Sequence, residues 1–252
     1  MIYQQLLKTA KQKGSNFLAL LDPDKCKKQD AAKIGQALND AGADGILFGT
    51  SLLMSNKIDD TIKALKQNFK QPVIIFPGSA YQVSQHADAI LYLSLVSGRN
   101  ADLLIGEQVK AAPMLKASGL EVIPTGYMLI ESGKLTSANY MSHTMPIPRD
   151  KSDIAMAHAL AARMLGMKLI YMDAGSGAQN SVSEEMISGV AKYAELPVVV
   201  GGGIRTPEEA GAKARAGATA VVVGNILEKK GNIKTAAEFA KAIHFREKTN
   251  RG

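Results

Sequence analysis

The chain has 252 residues, of which 46% are hydrophobic, 21% charged and 5% aromatic, with one cysteine, no tryptophan and a formal net charge of +7. This length suits one barrel-sized domain, and the lack of a bilayer-length apolar run, a signal peptide or a second cysteine predicts a cytoplasmic protein without membrane span or disulfide. The basic residues are dispersed and accompanied by few aromatic ones, so the charge favours a solvated surface with affinity for anionic substrates or lipid headgroups over a nucleic-acid partner.

Apolar runs alternate with segments of helical composition along the whole chain. A polar lead-in helix is expected within the first 17 residues. The apolar runs predict strands at residues 17–21, 45–48, 73–76, 89–93, 121–124, 169–172, 198–200 and 220–223. Helical spacing predicts helices at residues 31–41, 58–69, 81–87, 101–118, 152–165, 183–194, 206–216 and 235–244.

This alternation predicts a parallel sheet covered on both faces, and eight units favour a closed barrel over an open doubly wound sheet. The helical segment at residues 81–87 is short. We therefore expect an α/β fold, a single-domain (β/α)8 TIM-type barrel in which one helix is shortened or replaced. No composition shift or linker divides the chain, and we assign residues 1–252 to one domain.

The loops after the last two predicted strands are rich in glycine. Gly201, Gly202 and Gly203 follow the seventh apolar run, and Gly224 with Asn225 follows the eighth. Glycine lets backbone N–H groups approach an anion closely. Because these two loops are the usual phosphate site of such barrels, the pattern predicts that a phosphorylated ligand binds here.

Two carboxylates, Asp22 and Asp24, follow the first predicted strand on either side of Pro23. Asp22 could hold Mg²⁺ through one carboxylate and leave room for water and substrate oxygens. An Asx turn with a helix cap explains the same residues equally well. The local sequence leaves both interpretations open.

The sixth predicted strand leads into Asp173, which is followed by a Gly-Ser-Gly turn at residues 175–177. A carboxylate at the end of a buried strand, beside backbone N–H donors, is a candidate general base. The alternative is an ordinary turn capped by Asp173. The glycine loops after the next two strands favour the functional interpretation.

Two further strand ends carry polar residues. Arg99, after the fourth strand, is suited to clamping phosphate oxygens. Tyr127, after the fifth, would either hydrogen-bond a substrate or cover the barrel with its ring, and the sequence does not separate the two. The four histidines lack metal-ligand spacing and Cys26 has no histidine partner, so zinc and nucleophilic thiol chemistry are excluded as leading interpretations.

Together these features predict a phosphorylated substrate, a divalent metal on the opposite side of the barrel mouth, and few general acids or bases. Such a set suits ionisation of a diphosphate leaving group better than redox or hydrolytic chemistry. One carboxylate would accept the proton of an attacking hydroxyl.

Nearly the whole chain, from about residue 17 to residue 228, resembles the geranylgeranylglyceryl phosphate synthase family, which includes bacterial heptaprenylglyceryl phosphate synthases. The resemblance is carried by an ordered set of motifs: LLDPDK, FGTSLL, LVSGRN, IPTGYMLIESGK, YMDAGSGA, VVVGGGIRTPEEA and VVVGNILE. The segment GGGIRTPEEA alone is generic to phosphate-binding barrels, whereas the ordered set is specific. The resemblance implies a Mg²⁺-dependent prenyltransferase of ether phospholipid biosynthesis. That enzyme joins the 3-hydroxyl of sn-glycerol 1-phosphate to a polyprenyl diphosphate and releases diphosphate.

Carried over by position, the resemblance assigns residues to each part of the site. Asp22 and Ser51 would hold the metal, and Asp173 and Tyr171 would be catalytic. The sn-glycerol 1-phosphate site would consist of Tyr171, Met172, Asp173, Ala174, Gly175, Ser176, Gly177, Gly202, Gly203, Gly224 and Asn225. The diphosphate would contact Arg99 and Asn100. Candidates for a prenyl groove, for which ordinary packing is the alternative, are Met54, Tyr81, Leu129 and Met141.

The chain departs from the family at two positions. The family typically has Glu where this chain has Asp173, and the shorter side chain retracts the carboxylate by one methylene. Some archaeal members have Lys where this chain has Leu20. Recognition of the glycerol phosphate therefore differs in that detail.

The implied partners are sn-glycerol 1-phosphate and a polyprenyl diphosphate, with geranylgeranyl the leading chain. A homo-oligomer, a peripheral membrane contact for the lipid product and no nucleic acid are also expected. The alternatives are a heptaprenylglyceryl phosphate synthase, another phosphate-binding barrel enzyme such as an isomerase or aldolase of phosphorylated sugars, and a non-catalytic phosphate- or flavin-binding barrel. The sugar-phosphate alternative shares the glycine loops but gives no account of LLDPDK with FGTSLL.

Overall fold

Eight parallel strands close into a barrel, in chain order, in a computed structural model that describes residues 1–55, 57–228 and 235–246. The strands are β1 (Asn16–Leu21), β2 (Gly45–Phe48), β3 (Val73–Ile75), β4 (Ala89–Leu95), β5 (Glu121–Leu129), β6 (Leu169–Asp173), β7 (Val198–Gly201) and β8 (Ala220–Val223). Strand β8 pairs with β1, with Val221 opposite Phe17. The predicted TIM-type barrel is confirmed.

Helices alternate with the strands. The structure has α1 (Ile2–Lys13), α2 (Lys28–Asp40), α3 (Ile58–Lys66), α4 (Glu107–Ser118), α5 (Ser137–Ser142), α6 (Ser152–Met164), α7 (Glu184–Ala194), α8 (Pro207–Arg215), α9 (Asn225–Glu228) and α10 (Ala236–Ile243). A π-helical turn at Asp102–Gly106 precedes α4. Side-chain caps explain where α8 begins, since the Thr206 hydroxyl accepts from the Glu209 N–H at 3.2 Å and Pro207 takes the first position.

The strands are buried on both faces, as expected for a parallel sheet inside a layer of helices. One set of alternate residues fills the barrel interior, among them Leu18, Leu47 and Leu91. The other set packs against the helices, among them Phe17 and Ile90. Because both layers are apolar, polar side chains at the strand ends are left to face the barrel mouth.

No helix lies between β3 and β4, so the helix predicted at residues 81–87 is wrong and the allowance for a replaced helix is confirmed. Residues 76–88 form turns instead. The buried Gln82 side chain bonds backbone atoms of Thr50 on the loop after β2, donating to its carbonyl at 2.8 Å and accepting from its N–H at 3.3 Å. A seven-residue helix is marginal by itself, and these contacts stabilise the loop in its place.

Strand β5 extends to Leu129, so Tyr127 lies inside the strand rather than after it. The extension follows from pairing on both sides, with Tyr127 opposite Leu95 of β4 and opposite Tyr171 of β6. Among the described residues, no helix has the length and apolar character needed to cross a membrane.

Candidate active site

A cavity of about 670 Å³ opens at the carboxyl ends of the strands, where the loops of a barrel converge. Nearly every strand end contributes to its lining. The predicted site residues that line it are Asp22, Ser51, Tyr171, Asp173, Ser176, Gly177, Gly202, Gly203, Gly224 and Asn225. Metal, acceptor and catalytic candidates therefore share one cavity.

The loops after β6 and β7 touch through their backbones. Gly202 has a φ of +85°, and a β-carbon on it would lie 2.5 Å from the Gly175 nitrogen and 2.8 Å from Asp173 Oδ1. No other residue fits this position without moving the neighbouring loop. The Asn225 side chain ties the loop after β8 to the same group by accepting from the Ser176 hydroxyl at 2.8 Å.

Asp173 is the buried carboxylate of the site, with 7% of its surface exposed. Its Oδ2 accepts from the Tyr127 hydroxyl at 2.6 Å, and its Oδ1 accepts from the Gly175 N–H at 2.7 Å. Burial raises the pKa of Asp173, and these two hydrogen bonds oppose the rise. A carboxylate with a raised pKa, held in place by two donors, is suited to act as a general base.

Three aromatic rings lie beneath this carboxylate. Tyr171 stacks on Phe76 with ring centroids 4.7 Å apart, and its ring lies 5.6 Å from that of Tyr127. Burial, followed by the charge of Asp173, raises the pKa of Tyr171 well above its ordinary value, so the phenol stays protonated. Its hydroxyl makes no hydrogen bond with the described residues, and Tyr171 lines the cavity. It is therefore a donor available to a ligand.

Asp22 forms the Asx turn that the sequence allowed, and its side chain also lines the cavity. Its Oδ1 accepts from the Asp24 N–H at 3.0 Å, which is an Asx turn. Its Oδ2 lies 3.4 Å from the Thr50 hydroxyl and 3.5 Å from Lys25 Nζ, and the side chain faces the cavity. Asp24 instead accepts from the Met54 N–H at 2.9 Å and joins two loops.

Several of the predicted site residues lie away from the cavity lining. Met172 and Ala174 are buried among the residues that pack against the helices, so they offer the site only backbone atoms. The Arg99 guanidinium donates to the Gly98 carbonyl at 2.7 Å and lies 3.4 Å from His158 Nε2 on α6. Asn100 accepts from the Asp102 N–H at 3.0 Å and starts the π-helical turn. Neither Arg99 nor Asn100 is among the residues that line the cavity.

The cavity has an apolar arm between the outward face of β4 and helix α4, beside the segment where no helix follows β3. This apolar arm is lined by Val83, Ile90, Tyr92, Leu103, Ala111 and Leu115. Of the four groove candidates, Met141 lines the cavity and Leu129 is buried in the core. Met54 and Tyr81, with 79% and 84% of their surfaces exposed, lie outside the lining.

Sequence reasoning missed two cations that line the cavity, Lys25 and Arg205. The position of Lys25 in the DPDK motif, three residues after Asp22, could have indicated its role. Arg205 follows the glycines in GGGIRTP, and its guanidinium donates to the carbonyls of Ala178 at 2.5 Å and Gln179 at 3.0 Å. It therefore holds the loop after β6 against the loop after β7.

Comparison with known proteins gives one consistent set of matches. Residues 8–243 match the model of the PcrB family. A geranylgeranylglyceryl phosphate synthase of Chitinophaga pinensis is 49% identical over 235 residues, 93% of this chain and 92% of that protein. The synthase of Methanothermobacter marburgensis is 42% identical over 86% of this chain and 88% of its own.

A solved structure agrees with these relatives. The (S)-3-O-geranylgeranylglyceryl phosphate synthase of Thermoplasma acidophilum, crystallised with its substrate sn-glycerol-1-phosphate, superposes with a TM-score of 0.90 at 36% identity. The match covers 97% of this chain and 98% of the other.

Proposed function

The chain belongs to the PcrB family, and from that premise we propose that it is a prenyltransferase of the geranylgeranylglyceryl phosphate synthase type. It joins the 3-hydroxyl of sn-glycerol 1-phosphate to a polyprenyl diphosphate, geranylgeranyl diphosphate in the leading case, and releases diphosphate. The observation that carries the proposal is one cavity that combines glycine loops, a buried carboxylate, a second carboxylate and an apolar arm. These four parts correspond to the acceptor phosphate, the proton, the diphosphate and the prenyl chain.

The acceptor half is built from the glycine loops after β6, β7 and β8. Their backbone N–H groups and the Asn225 amide suit the phosphate of sn-glycerol 1-phosphate. The Thermoplasma acidophilum enzyme, which shares this fold at 36% identity, was crystallised with that substrate. Tyr171, with its protonated phenol on the cavity wall, is a donor for the glycerol hydroxyls.

Asp173 is the general base of the proposed reaction. The 3-hydroxyl oxygen attacks the first carbon of the prenyl chain, the bond from that carbon to the diphosphate oxygen breaks, and the hydroxyl proton passes to Asp173. The raised pKa of this carboxyl matches it to accept a proton, and Tyr127 and the Gly175 N–H hold it in position. The reaction needs no general acid from the protein, because diphosphate leaves as an anion.

Residues that follow β1 and β2 fit a magnesium ion that is shared with the substrate. No three His, Cys, Asp or Glu side chains of the described residues form a metal-binding group. The donors that line the cavity are the Asp22 carboxylate and the Ser51 hydroxyl. One carboxylate with substrate phosphates and water is a usual environment for Mg²⁺, so we assign Asp22 and Ser51 to it. When bound, the ion neutralises charge on the departing diphosphate.

Lys25 is the cation that we assign to the diphosphate in place of Arg99. Its Nζ lies 3.5 Å from Asp22 Oδ2, and the side chain lines the cavity. The Arg99 guanidinium instead donates to the Gly98 carbonyl and lies beside His158 on α6. A compact ammonium next to the metal carboxylate suits a point contact with a phosphate oxygen.

The apolar arm is our candidate for the prenyl chain. Aliphatic side chains and Tyr92 line the arm, and the arm and the polar mouth belong to the same cavity. An apolar chain gains roughly 0.8 kcal/mol for each buried CH₂ group, so such a channel selects a long prenyl donor.

Location and assembly extend the proposal. Cys26 is the single cysteine of the sequence and is buried, which fits a cytoplasmic enzyme. Exposed Leu52, Met54 and Tyr81 on the loops after β2 and β3 suit a peripheral contact with the membrane that receives the lipid product. A homo-oligomer remains a prediction, which sedimentation of the full chain checks.

Radiolabelled sn-glycerol 1-phosphate, incubated with the protein, Mg²⁺ and prenyl diphosphates of graded length, tests the proposal and decides between geranylgeranyl and heptaprenyl donors. We expect Asp22→Asn to lower kcat by roughly 100-fold or more while glycerol phosphate still binds. Asp24→Asn is the matched control, because Asp24 lies outside the cavity lining, and it should keep wild-type turnover. Equal activity of the two variants would remove the metal assignment.

A further inference from the structure

The loop that follows β5 packs over the glycine loop after β6. The Asn180 N–H donates to the Ser132 carbonyl at 2.9 Å, and a β-carbon on Gly133 would lie 2.8 Å from Asn180 Nδ2 and 3.0 Å from Gln179 Oε1. The two loops are therefore in close contact, with Gly133 at a φ of +85°. The residue after Gly133 is held beside the proposed phosphate site.

That residue is Lys134, and its ammonium points at the glycine loop. Gly177 has a φ of +69°, and a β-carbon on it would lie 3.8 Å from Lys134 Nζ and 3.6 Å from Asn225 Nδ2. Two donor nitrogens thus converge on the space that the missing side chain of Gly177 leaves open. The Asn225 oxygen is already used by the Ser176 hydroxyl, which turns the amide NH₂ toward this space.

The Lys134 ammonium has no hydrogen bond or ion pair with any residue that the structure describes, although Ser132 bonds the Lys134 backbone carbonyl. The other cations near the cavity already interact with protein groups. The Arg205 guanidinium donates to the carbonyls of Ala178 and Gln179. Lys25 pairs with Asp22 at the other side of the mouth.

The residue that β1 contributes next to Gly224 is the uncharged Leu20. Leu20 lines the cavity there, and a β-carbon on Gly224 would lie 3.3 Å from its Cβ. A dianionic phosphate in the glycine loops would gain charge-assisted hydrogen bonds, beyond those of the backbone N–H groups, from a nearby cation. Among the described residues next to Gly177, Lys134 is the one placed to supply it.

We propose that Lys134 is a substrate-binding residue that contacts the phosphate of the acceptor, together with the Asn225 amide. The inference rests on the proposed function for the identity of the acceptor. The ammonium contributes to binding of the phosphate and takes no part in the proton transfer or in departure of the diphosphate.

Lys134→Ala tests the assignment, with Lys134→Arg as the conservative variant. Lys192→Ala is the matched control. Lys192 lies in the last turn of α7, at the opposite end of the barrel because helices run antiparallel to the strands, and its loss changes the net charge equally. The Kd for sn-glycerol 1-phosphate is measured by calorimetry on the full chain, and KM is measured for both substrates.

Loss of a charge-assisted contact at a partly solvated site predicts a rise of about tenfold in both Kd and KM for sn-glycerol 1-phosphate in Lys134→Ala. The KM for prenyl diphosphate should stay unchanged, and Lys134→Arg should recover most of the affinity. The assignment is supported if the Kd for sn-glycerol 1-phosphate in Lys134→Ala is at least about threefold higher than in Lys192→Ala, and a smaller difference overturns it. Failure of the proposed function would look different, since the wild-type chain itself would form no product.

Discussion

Tyr127→Phe removes one oxygen from the site and leaves its shape intact. That oxygen donates to Asp173 Oδ2 at 2.6 Å, and it is one of two donors that oppose the effect of burial on the carboxyl. The Tyr127 ring keeps its edge contact with Phe76, whose centroid lies 5.9 Å away. The substitution therefore isolates the hydrogen bond.

The size of the effect follows from the strength of that bond. A short hydrogen bond to a charged group contributes about 1.5–3 kcal/mol, which corresponds to roughly 1–2 pKa units. Burial raises the pKa of Asp173, and loss of a donor to the charged form raises the pKa further. Because the base must be ionised, the acid limb of the rate profile should move to higher pH by about 1–2 units.

The assay is the pH dependence of kcat/KM for prenyl transfer. Tyr3→Phe is the matched control, because its hydroxyl donates to the Lys168 carbonyl at 3.1 Å on the part of the chain that precedes β6. Titration of the substrate phosphate affects both variants alike, so the difference between them reports on Asp173. An acid limb in Tyr127→Phe that coincides with the Tyr3→Phe limb would refute the assignment of Asp173 as the base.

Three other substitutions probe the site and the fold. Gly202→Ala should abolish measurable binding of sn-glycerol 1-phosphate, because its β-carbon would meet the Gly175 nitrogen at 2.5 Å, and calorimetry checks this. Ala111→Phe should shorten the longest accepted prenyl donor by filling the apolar arm, as read from product lengths; an unchanged distribution would exclude the arm. For Asp44, burial acts to raise the pKa, but His244, the Phe17 N–H and Lys13 outweigh it and lower the pKa. The stabilisation from this carboxylate is therefore present in full above the unfolded pKa of about 3.9, and it is lost progressively as pH falls from there through the lowered folded pKa. Asp44→Asn should cost about 3 kcal/mol at pH 7 in urea unfolding and less at pH 3, whereas an equal loss at both would contradict the ion pair.

Much of the barrel follows from patterns that are local in sequence. The runs at Gly45–Phe48 and Ala220–Val223 coincide with β2 and β8 because a strand buried on both faces needs only a short apolar run between turn residues. The glycine loops could be predicted for a similar reason, since backbone approach to a phosphate requires glycine in that stretch. Asp22 and Asp173 were recognised because each stands where an apolar run ends.

The remaining features depend on contacts between distant residues. Tyr127 and Asp173 are 46 positions apart, and their bond exists because β5 extends far enough to pair with the whole of β6. The loop at residues 76–88 replaces a helix through the contact of Gln82 with Thr50, 32 positions away. Arg99 turns toward His158 on α6, which no spacing around residue 99 could indicate.

Product formation from sn-glycerol 1-phosphate is the most direct test of the proposed function. The wild-type chain, supplied with labelled sn-glycerol 1-phosphate, Mg²⁺ and geranylgeranyl or heptaprenyl diphosphate, should release diphosphate and form a labelled ether lipid in equal amounts. The mirror-image sn-glycerol 3-phosphate serves as the acceptor control and should react poorly. Absence of labelled lipid with every prenyl length, from protein that is folded and binds the acceptor, would contradict the account.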